Sequence, residues 1–320
     1  IESLKSGAFE FIQKPFDRER LMNFVNRAVE KINLIRENKN LKSQLFHSFE
    51  FIGKSQNILT IRDQINKLSN SESRIFICGP TGSGKELIAR KIHKQSNRSN
   101  KPFVIINGAL LDPKKYEQEL FGSENNGIIN YGVFEKAKGG TLLIDEVSEI
   151  PLETQAKILR VLIDQKFKRI NGSHDIKVDV RIICSSTKDI KEEISKGNFR
   201  EDLFHRLNVF QIDIQPLNKR IQDIPLLIKY YSKKIADNYN LKKFNIDPDN
   251  HYLIDYHWPG NVRELRNLIE RIAILSPDSD EKISNIIKES LKEQSLDTSD
   301  SEKSLSVPLK EAREHFEKEY

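Results

Sequence analysis

Residues 79–86 read Gly-Pro-Thr-Gly-Ser-Gly-Lys-Glu. They stand between an apolar run, Ile75-Phe76-Ile77-Cys78, and a stretch of helical character, Leu87-Ile88-Ala89-Arg90-Lys91-Ile92. A G-x-x-x-x-G-K loop joining a strand to a helix limits the possible folds more than any other short feature of the chain. Its glycines let the backbone curl so that several N–H groups converge on one point, and the following helix directs the positive end of its dipole there. A phosphate fits such a nest, and Lys85 is a point charge able to reach the outer phosphates of a nucleotide. Gly79, Pro80, Thr81, Gly82, Ser83, Gly84, Lys85 and Glu86 are therefore the candidate phosphate-binding residues. The position after the lysine usually carries Ser or Thr, whose hydroxyl holds magnesium. Here it is Glu86.

The rest of the chain fits a globular nucleotide-binding protein. Its 320 residues suffice for about two domains. Charged residues at 31% and hydrophobic ones at 37% are ordinary proportions. The net charge of +5 is spread along the chain, so no basic block argues for nucleic-acid binding. No run approaches the ~20 apolar residues of a membrane helix, and no secretory leader pattern is present. The two cysteines, Cys78 and Cys184, lie in apolar strand-like runs and read as core thiols of a reducing, cytoplasmic interior. The first residue is Ile1, and the opening residues read as the middle of an element, so a piece of a longer protein is expected.

Residues 51 to about 216 alternate strand-like and helix-like runs. Strands are predicted at Arg74–Cys78, Phe103–Asn107, Thr141–Glu146 and Val180–Ser185, and helices at Glu86–Asn97 and Thr154–Gln165. This alternation predicts an α/β fold with a parallel sheet covered on both faces. Asn171-Gly172, between Phe167–Ile170 and Ile176–Val180, marks a hairpin. Residues 217–276 read as all-helical. Residues 277–306 are rich in Ser, Asp and Lys and read as a linker with one helix, Lys282–Lys292. Before the α/β region, Leu21, Phe24, Val25, Ala28, Val29 and Ile32 follow helical spacing. Leu34, Asn38, Leu41 and Leu45 continue it as a short heptad-like seam. That seam suits either a dimer contact in which Asn38 sets register, or an ordinary linker helix over residues 35–50.

A second chemical motif follows the loop. Ala137-Lys138-Gly139-Gly140-Thr141-Leu142-Leu143-Ile144-Asp145-Glu146 is an apolar strand entered through glycines and ending in two carboxylates. Asp145 is placed to hold magnesium, and Glu146 to polarise the water that attacks a γ-phosphate. A carboxylate pair after an apolar run is often only a strand end. Both motifs in this order make ATP hydrolysis with Mg2+ the expectation.

These residues, with Glu119-Leu120-Phe121-Gly122, Phe199-Arg200-Glu201-Asp202-Leu203-Phe204-His205-Arg206-Leu207 and Trp258-Pro259-Gly260-Asn261-Val262-Arg263-Glu264-Leu265, resemble the AAA+ central domain of the NtrC-type activators of sigma-54 RNA polymerase. The resemblance spans roughly residues 51–276, and Glu86 at the loop's end is a feature of that family. It implies an AAA+ P-loop NTPase core over 51–216 with a helical lid over 217–276, assembling between dimer and hexameric ring. It implies roles residue by residue. Asn107 would be a switch residue holding Glu146 off the water, although a strand-end Asn capping a turn reads equally well from the residues alone. Arg200 and Arg206 would be arginine fingers reaching the nucleotide of a neighbouring subunit, against the plainer reading of exposed arginines pairing with Glu201 and Asp202. Thr187 would occupy the sensor I position and Arg263 the sensor II position of the lid. Residues 1–34, with Gly7-Ala8-Phe9-Glu10-Phe11-Ile12-Gln13-Lys14-Pro15-Phe16, resemble the end of a response-regulator receiver domain that a sensor histidine kinase would phosphorylate. Residues 307–320 resemble the start of a Fis-type helix-turn-helix domain that would bind DNA.

Two segments depart from the family pattern. Asn is usual where this chain has Thr187, and a hydroxyl is a shorter group with one donor. After Gly122 most members carry Gly-Ala-Phe-Thr-Gly-Ala on a loop that touches sigma-54. Here the segment reads Ser123-Glu124-Asn125-Asn126-Gly127-Ile128-Ile129-Asn130-Tyr131-Gly132. The loss of that tip, together with the receiver-like start, narrows the resemblance to one branch of response regulators tied to nitrogen and redox responses. Two mechanisms stay open: ATP hydrolysis in a ring that remodels an RNA polymerase–sigma factor complex, or an ATP-binding oligomerisation module whose parent acts by occupying DNA. A third, a protein unfoldase, would need an aromatic pore loop, for which Tyr131 is the single aromatic in 123–132.

Overall fold

The computed structural model describes residues 21–23, 25–26, 28–29, 50–110, 115–125, 127–239, 244, 246–247, 250–275 and 283–291. The chain divides into two units, Ile1–Glu50 and Phe51–Tyr320. In the first, the described residues between 21 and 29 are helical, as their spacing predicts. The strand at 8–12, Lys14-Pro15, the seam at 34–45 and the segment 307–320 lie outside the described residues.

The second unit opens with helix α1 (Gln56–Ser69), started by Ser55, whose side chain accepts from Ile58 N. A hydroxyl at this position satisfies one of the helix's unpaired N–H groups. Strand β1 (Ile75–Cys78) leads through the glycine loop into α2 (Lys85–Lys94), and β2 (Phe103–Asn107) follows. Next come α3 (Tyr116–Phe121), a hairpin of β3 (Ser123–Asn125) and β4 (Ile128–Asn130), α4 (Val133–Lys136) and β5 (Thr141–Asp145). Helix α5 (Leu152–Asp164), a second hairpin of β6 (Lys166–Phe167) and β7 (Ile176–Lys177), β8 (Arg181–Ser186), α6 (Ile190–Ser195), α7 (Glu201–Leu207) and β9 (Phe210–Asp213) complete the α/β part.

Five strands form one parallel sheet in the order β2-β5-β8-β1-β9. Its strands read as continuous apolar runs because both faces are covered. Alternate residues of each strand enter opposite cores. Phe76, Ile144, Ile182 and Cys184 pack beneath α3 to α7, and Ile75, Ile77, Leu143, Ile183 and Ile212 pack against α1 and α2. β9 is an edge strand with only Ile212 buried, so its sequence lacks the apolar run that marks the other four. The hairpin expected around Asn171 is present, with Phe167 opposite Ile176, although its strands are two residues long and the connection spans 168–175.

The lid consists of α8 (Ile224–Tyr239), α9 (His251–Ile254), α10 (Asn261–Leu275) and α11 (283–291). Trp258 is buried at its centre and donates its indole N–H to Leu253 O at 2.8 Å. The helix expected within a linker is α11, and Ile283, Ile287 and Leu291 are buried in the same core as α10. The Ser- and Lys-rich composition hides a three-residue apolar stripe at helical spacing.

One buried histidine and two thiols give the α/β part a pH and thiol signature. His93 on α2 shares a 2.9 Å hydrogen bond with Thr141 Oγ1 and packs on Phe103. Burial, helped by the nearby charges of Arg181 and Arg90, holds its pKa below the ordinary 6.5. The unfolded chain therefore binds a proton that the folded chain refuses. The stability this provides is complete above pH 6.5 and is lost as pH falls through that value toward the lower folded pKa. Urea midpoints measured at pH 7.5 and 5.5 are expected to drop more for the native chain than for His93→Gln; equal drops would refute the assignment. Burial raises the thiol of Cys78 to about 12 and that of Cys184 further. A disulfide-exchange reagent at pH 8 is expected to titrate both thiols slowly in the folded chain and at once in guanidinium, since the thiolate is the reacting form. Two fast thiols in the folded chain would refute it.

Candidate functional site

The glycine loop lies between β1 and α2, at the carboxyl end of the sheet. Gly82 has φ +73°, and a Cβ there would come within 2.2 Å of Gly260 O in the lid. Only glycine fits both the conformation and the approach. Lys85 begins α2 and is 7% exposed. Its ammonium donates to Gly79 O at 2.9 Å and lies 3.3 Å from Glu146 Oε1. Ser83 Oγ is buried without a hydrogen-bond partner. Glu86 faces elsewhere: its carboxylate accepts from Arg90 Nε at 2.6 Å on the outer side of α2.

β5 delivers the carboxylates two places along the sheet. Leu142, Leu143 and Ile144 are fully buried, Thr141 meets His93, and Ala137 is buried beside exposed Lys138. These residues, with Gly139 and Gly140, act as scaffold. Gly140 is pressed on Pro102, whose O would lie 2.0 Å from a Cβ. Asp145 ends β5 and accepts from Asn107 Nδ2 at 3.0 Å and from Ser185 Oγ. Glu146 leaves the strand in a left-handed conformation, φ +51°, which costs a non-glycine residue of order 1 kcal/mol or more and recurs at functional sites. Its Oε2 accepts from Thr187 N at 2.9 Å and Thr187 Oγ1 at 2.8 Å.

In this structure Asn107 bonds to Asp145, the neighbour of the glutamate it is expected to hold. Register places Asn107 directly opposite Asp145. Glu146 has already left the strand with its left-handed turn. Asn107 therefore holds Asp145, with its Oδ1 accepting from Ala109 N, and Thr187 holds Glu146.

The expected fingers lie apart from this cluster. Arg200 precedes α7 and its guanidinium makes a bidentate pair with Asp202, at 3.0 and 2.7 Å, which raises the arginine pKa and lowers that of the carboxylate. Arg206, on the same helix, donates to Leu162 O at 3.2 Å. Both are exposed. Arg263 on α10 is exposed and lines a cavity of about 230 Å³ together with Thr81, Asn267 and Arg271.

Sequence reasoning missed the residues that seat the lid on the loop. Asn261 donates to Thr81 O at 3.0 Å and accepts from Leu217 N at 2.7 Å. Arg220 is buried and donates to Ser83 O at 3.0 Å. Asp223, fully buried, accepts from Lys54 N at 2.6 Å, Ser55 N at 2.8 Å and Ser55 Oγ at 2.6 Å. The available signal was the oppositely charged pair Arg220 and Asp223 directly before the apolar start of α8. The segment that replaces the sigma-54 tip is a short antiparallel hairpin, with Ile128 67% and Ile129 40% exposed. Arg169 ties it to the second hairpin through an ion pair with Glu124 at 3.6 Å, and also pairs with Glu135 of α4 at 2.6 Å and lies over the Tyr131 ring at 5.4 Å.

A parallel sheet with a phosphate loop after β1, a carboxylate pair at the end of β5 and a helical lid on the loop defines a P-loop NTPase of the AAA+ type. Residues 51–213 match the sigma-54 interaction domain and residues 218–304 the AAA+ ATPase lid domain. The chain is 42% identical over 328 residues to the nitrogen assimilation regulatory protein NtrX of Azorhizobium caulinodans, an alignment covering all of this chain and 72% of that protein. Crystal structures of NtrX from Brucella abortus in complex with ADP and with ATP match it with TM-scores of 0.75, at 42% and 41% identity, over all of this chain and 72% of theirs. The chain belongs to the sigma-54 interaction family of AAA+ response regulators, in its NtrX-like branch, and is a central AAA+ region of that kind.

Proposed function

We propose that this chain binds ATP with Mg2+ and hydrolyses it at interfaces between copies of itself, in the service of transcription control. The observation that carries the reading is the convergence of Lys85, Asp145, Glu146 and Thr187 at one point, while Arg200 and Arg206 stand exposed elsewhere. One copy thus holds a phosphate loop and a water-activating carboxylate but presents its candidate fingers outward. The residues fit both the nucleotide and the metal. The buried ammonium of Lys85 now rests on a loop carbonyl and Glu146, partners that phosphate oxygens would replace. Magnesium binds through one or two carboxylates, phosphates and water. Asp145 is the carboxylate in place, and among the described residues no cluster of three His, Cys, Asp or Glu competes with it. When bound, the metal would neutralise charge between the phosphates.

Glu146 would orient and deprotonate the attacking water, held until then by Thr187 and Lys85. Arg263, beside Thr81, would report the loop's occupancy to the lid. Support for nucleotide binding comes from the ADP and ATP complexes of the Brucella abortus relative. The proposed domains are the receiver part at 1–34, a linker helix at 35–50, the nucleotide-binding part at 51–216, a lid at 217–276, a linker at 277–306 whose helix α11 packs on that lid, and the start of a DNA-binding domain at 307–320. Among the described residues no helix is long and apolar enough to cross a membrane, and a cytoplasmic place of action is proposed. A sensor histidine kinase, RNA polymerase with a sigma factor, and DNA are the proposed partners of the parent protein.

Steady-state ATP hydrolysis per subunit is expected to rise with protein concentration as subunits assemble. A rate that is near zero and flat with concentration would overturn the reading. The alternative is an assembly driven by ATP without sigma-54 remodelling, which the hairpin in place of the usual tip suggests. Co-migration with sigma-54 in the presence of ADP and aluminium fluoride would overturn that second statement.

A further inference from the structure

Gln155, on the first turns of α5, is completely buried, and its carboxamide joins the turn before its own helix to the segment 198–200. Its Nε2 donates to Ile150 O at 2.7 Å and to Asn198 O at 3.0 Å. Its Oε1 accepts from the backbone N–H of Arg200 at 2.9 Å. A carboxamide offers two donors and two lone pairs, and three of the four are used here without a water or a charged partner. Ile150 closes the 3₁₀ turn Val147–Glu149, which Glu146 itself begins. The path from the candidate water-activating carboxylate to the candidate finger is therefore short: one turn of backbone, one side chain, one N–H.

The surroundings fix this path. Phe199, next to Arg200, is buried in the main core. Arg200 is the residue before α7 and makes no side-chain cap of its own, so its backbone is set by Phe199 and Gln155. Its guanidinium, by contrast, is held by Asp202 at the surface and is free to exchange that partner for another anion.

We propose that Gln155 is a positioning residue for Arg200, fixing the point from which its side chain reaches the nucleotide of a neighbouring copy. The proposal rests on the reading of Arg200 as a group acting across the interface. Gln155→Met keeps the shape of the side chain and removes its three hydrogen bonds. ATP turnover at saturating ATP is expected to fall about 10²-fold, the size of effect that a displacement of about 1 Å produces. Affinity for a fluorescent ATP analogue should stay within about twofold, because the phosphate loop is untouched.

Mixing separates positioning from general structural damage. Lys85→Ala subunits lack a working loop but keep Arg200 in place. Equimolar Gln155→Met and Lys85→Ala, each nearly inactive alone, are expected to regain hydrolysis at junctions where an intact Arg200 meets an intact loop. Arg200→Ala mixed with Lys85→Ala tests the finger reading by itself. Recovery in the second mixture without recovery in the first would overturn the proposal, as would a native rate for Gln155→Met alone. A native rate for Arg200→Ala would remove the finger reading and the proposal with it. If Gln155→Met does not fold, Gln155→Glu carries the same readouts with a smaller expected loss, since desolvation protonates the buried carboxyl and keeps the acceptor for Arg200. Failure of both to fold would assign Gln155 to the core and overturn the proposal.

Discussion

Asp223→Ala is expected to lower the stability of the second unit by about 3–5 kcal/mol, the range found when one member of a buried, mutually satisfied polar set is removed. Asp223 has no exposed surface, and three donors from Lys54 and Ser55 converge on it. Alanine leaves all three without an acceptor and leaves buried Arg220 without the carboxylate that offsets its desolvation. The loss also disturbs the start of α1, because Ser55 is its capping residue. The measurement is urea denaturation followed by the fluorescence of Trp258, the single tryptophan of the chain. Asp223→Asn, which keeps one acceptor, should lose distinctly less. A change below about 1 kcal/mol for the alanine variant would mean that the cluster is merely accommodated and holds nothing together.

The second large effect concerns chemistry. Glu146→Gln is expected to reduce ATP hydrolysis by about 10²–10⁴-fold, the usual contribution of a positioned general base, while nucleotide binding persists. A glutamine at this place retains an oxygen for Thr187 N and Oγ1, so the local geometry survives. It removes the negative charge 3.3 Å from Lys85, which leaves that ammonium freer to meet phosphate. Affinity for ATP should therefore hold or tighten as turnover collapses. A variant retaining more than about a tenth of the native rate would shift the role of base to another group, and Asp145 would be the next to test.

The core of the fold and half of the site were legible in the sequence for definite reasons. Strands β1, β5 and β8 are buried on both faces and so write themselves as apolar runs, and β2, although at the other edge, keeps the run Phe103-Val104-Ile105-Ile106. The glycine loop is legible because its backbone conformation excludes other residues. β9 was not, because Gln211 and Asp213 break its run of four, in which only Ile212 is buried. Asn107 was found as a residue, but its bond to Asp145 was not, since strand register, which sequence does not show, sets the two side by side. Gln155 and Asp223 were invisible for a different reason. Each looks like an ordinary polar residue on a helix or before one, and only the tertiary fold carries it into an apolar interior, where its hydrogen bonds become obligatory.

The meeting of Gly82 with Gly260 has a mechanical consequence. Two glycines in contact have no rotamers, so neither surface can yield by moving a side chain aside. A side chain at either position would act as a compressible spacer; without one, the peptide that carries Gly260 bears directly on the phosphate loop, and the spacing between lid and loop is set by backbone alone.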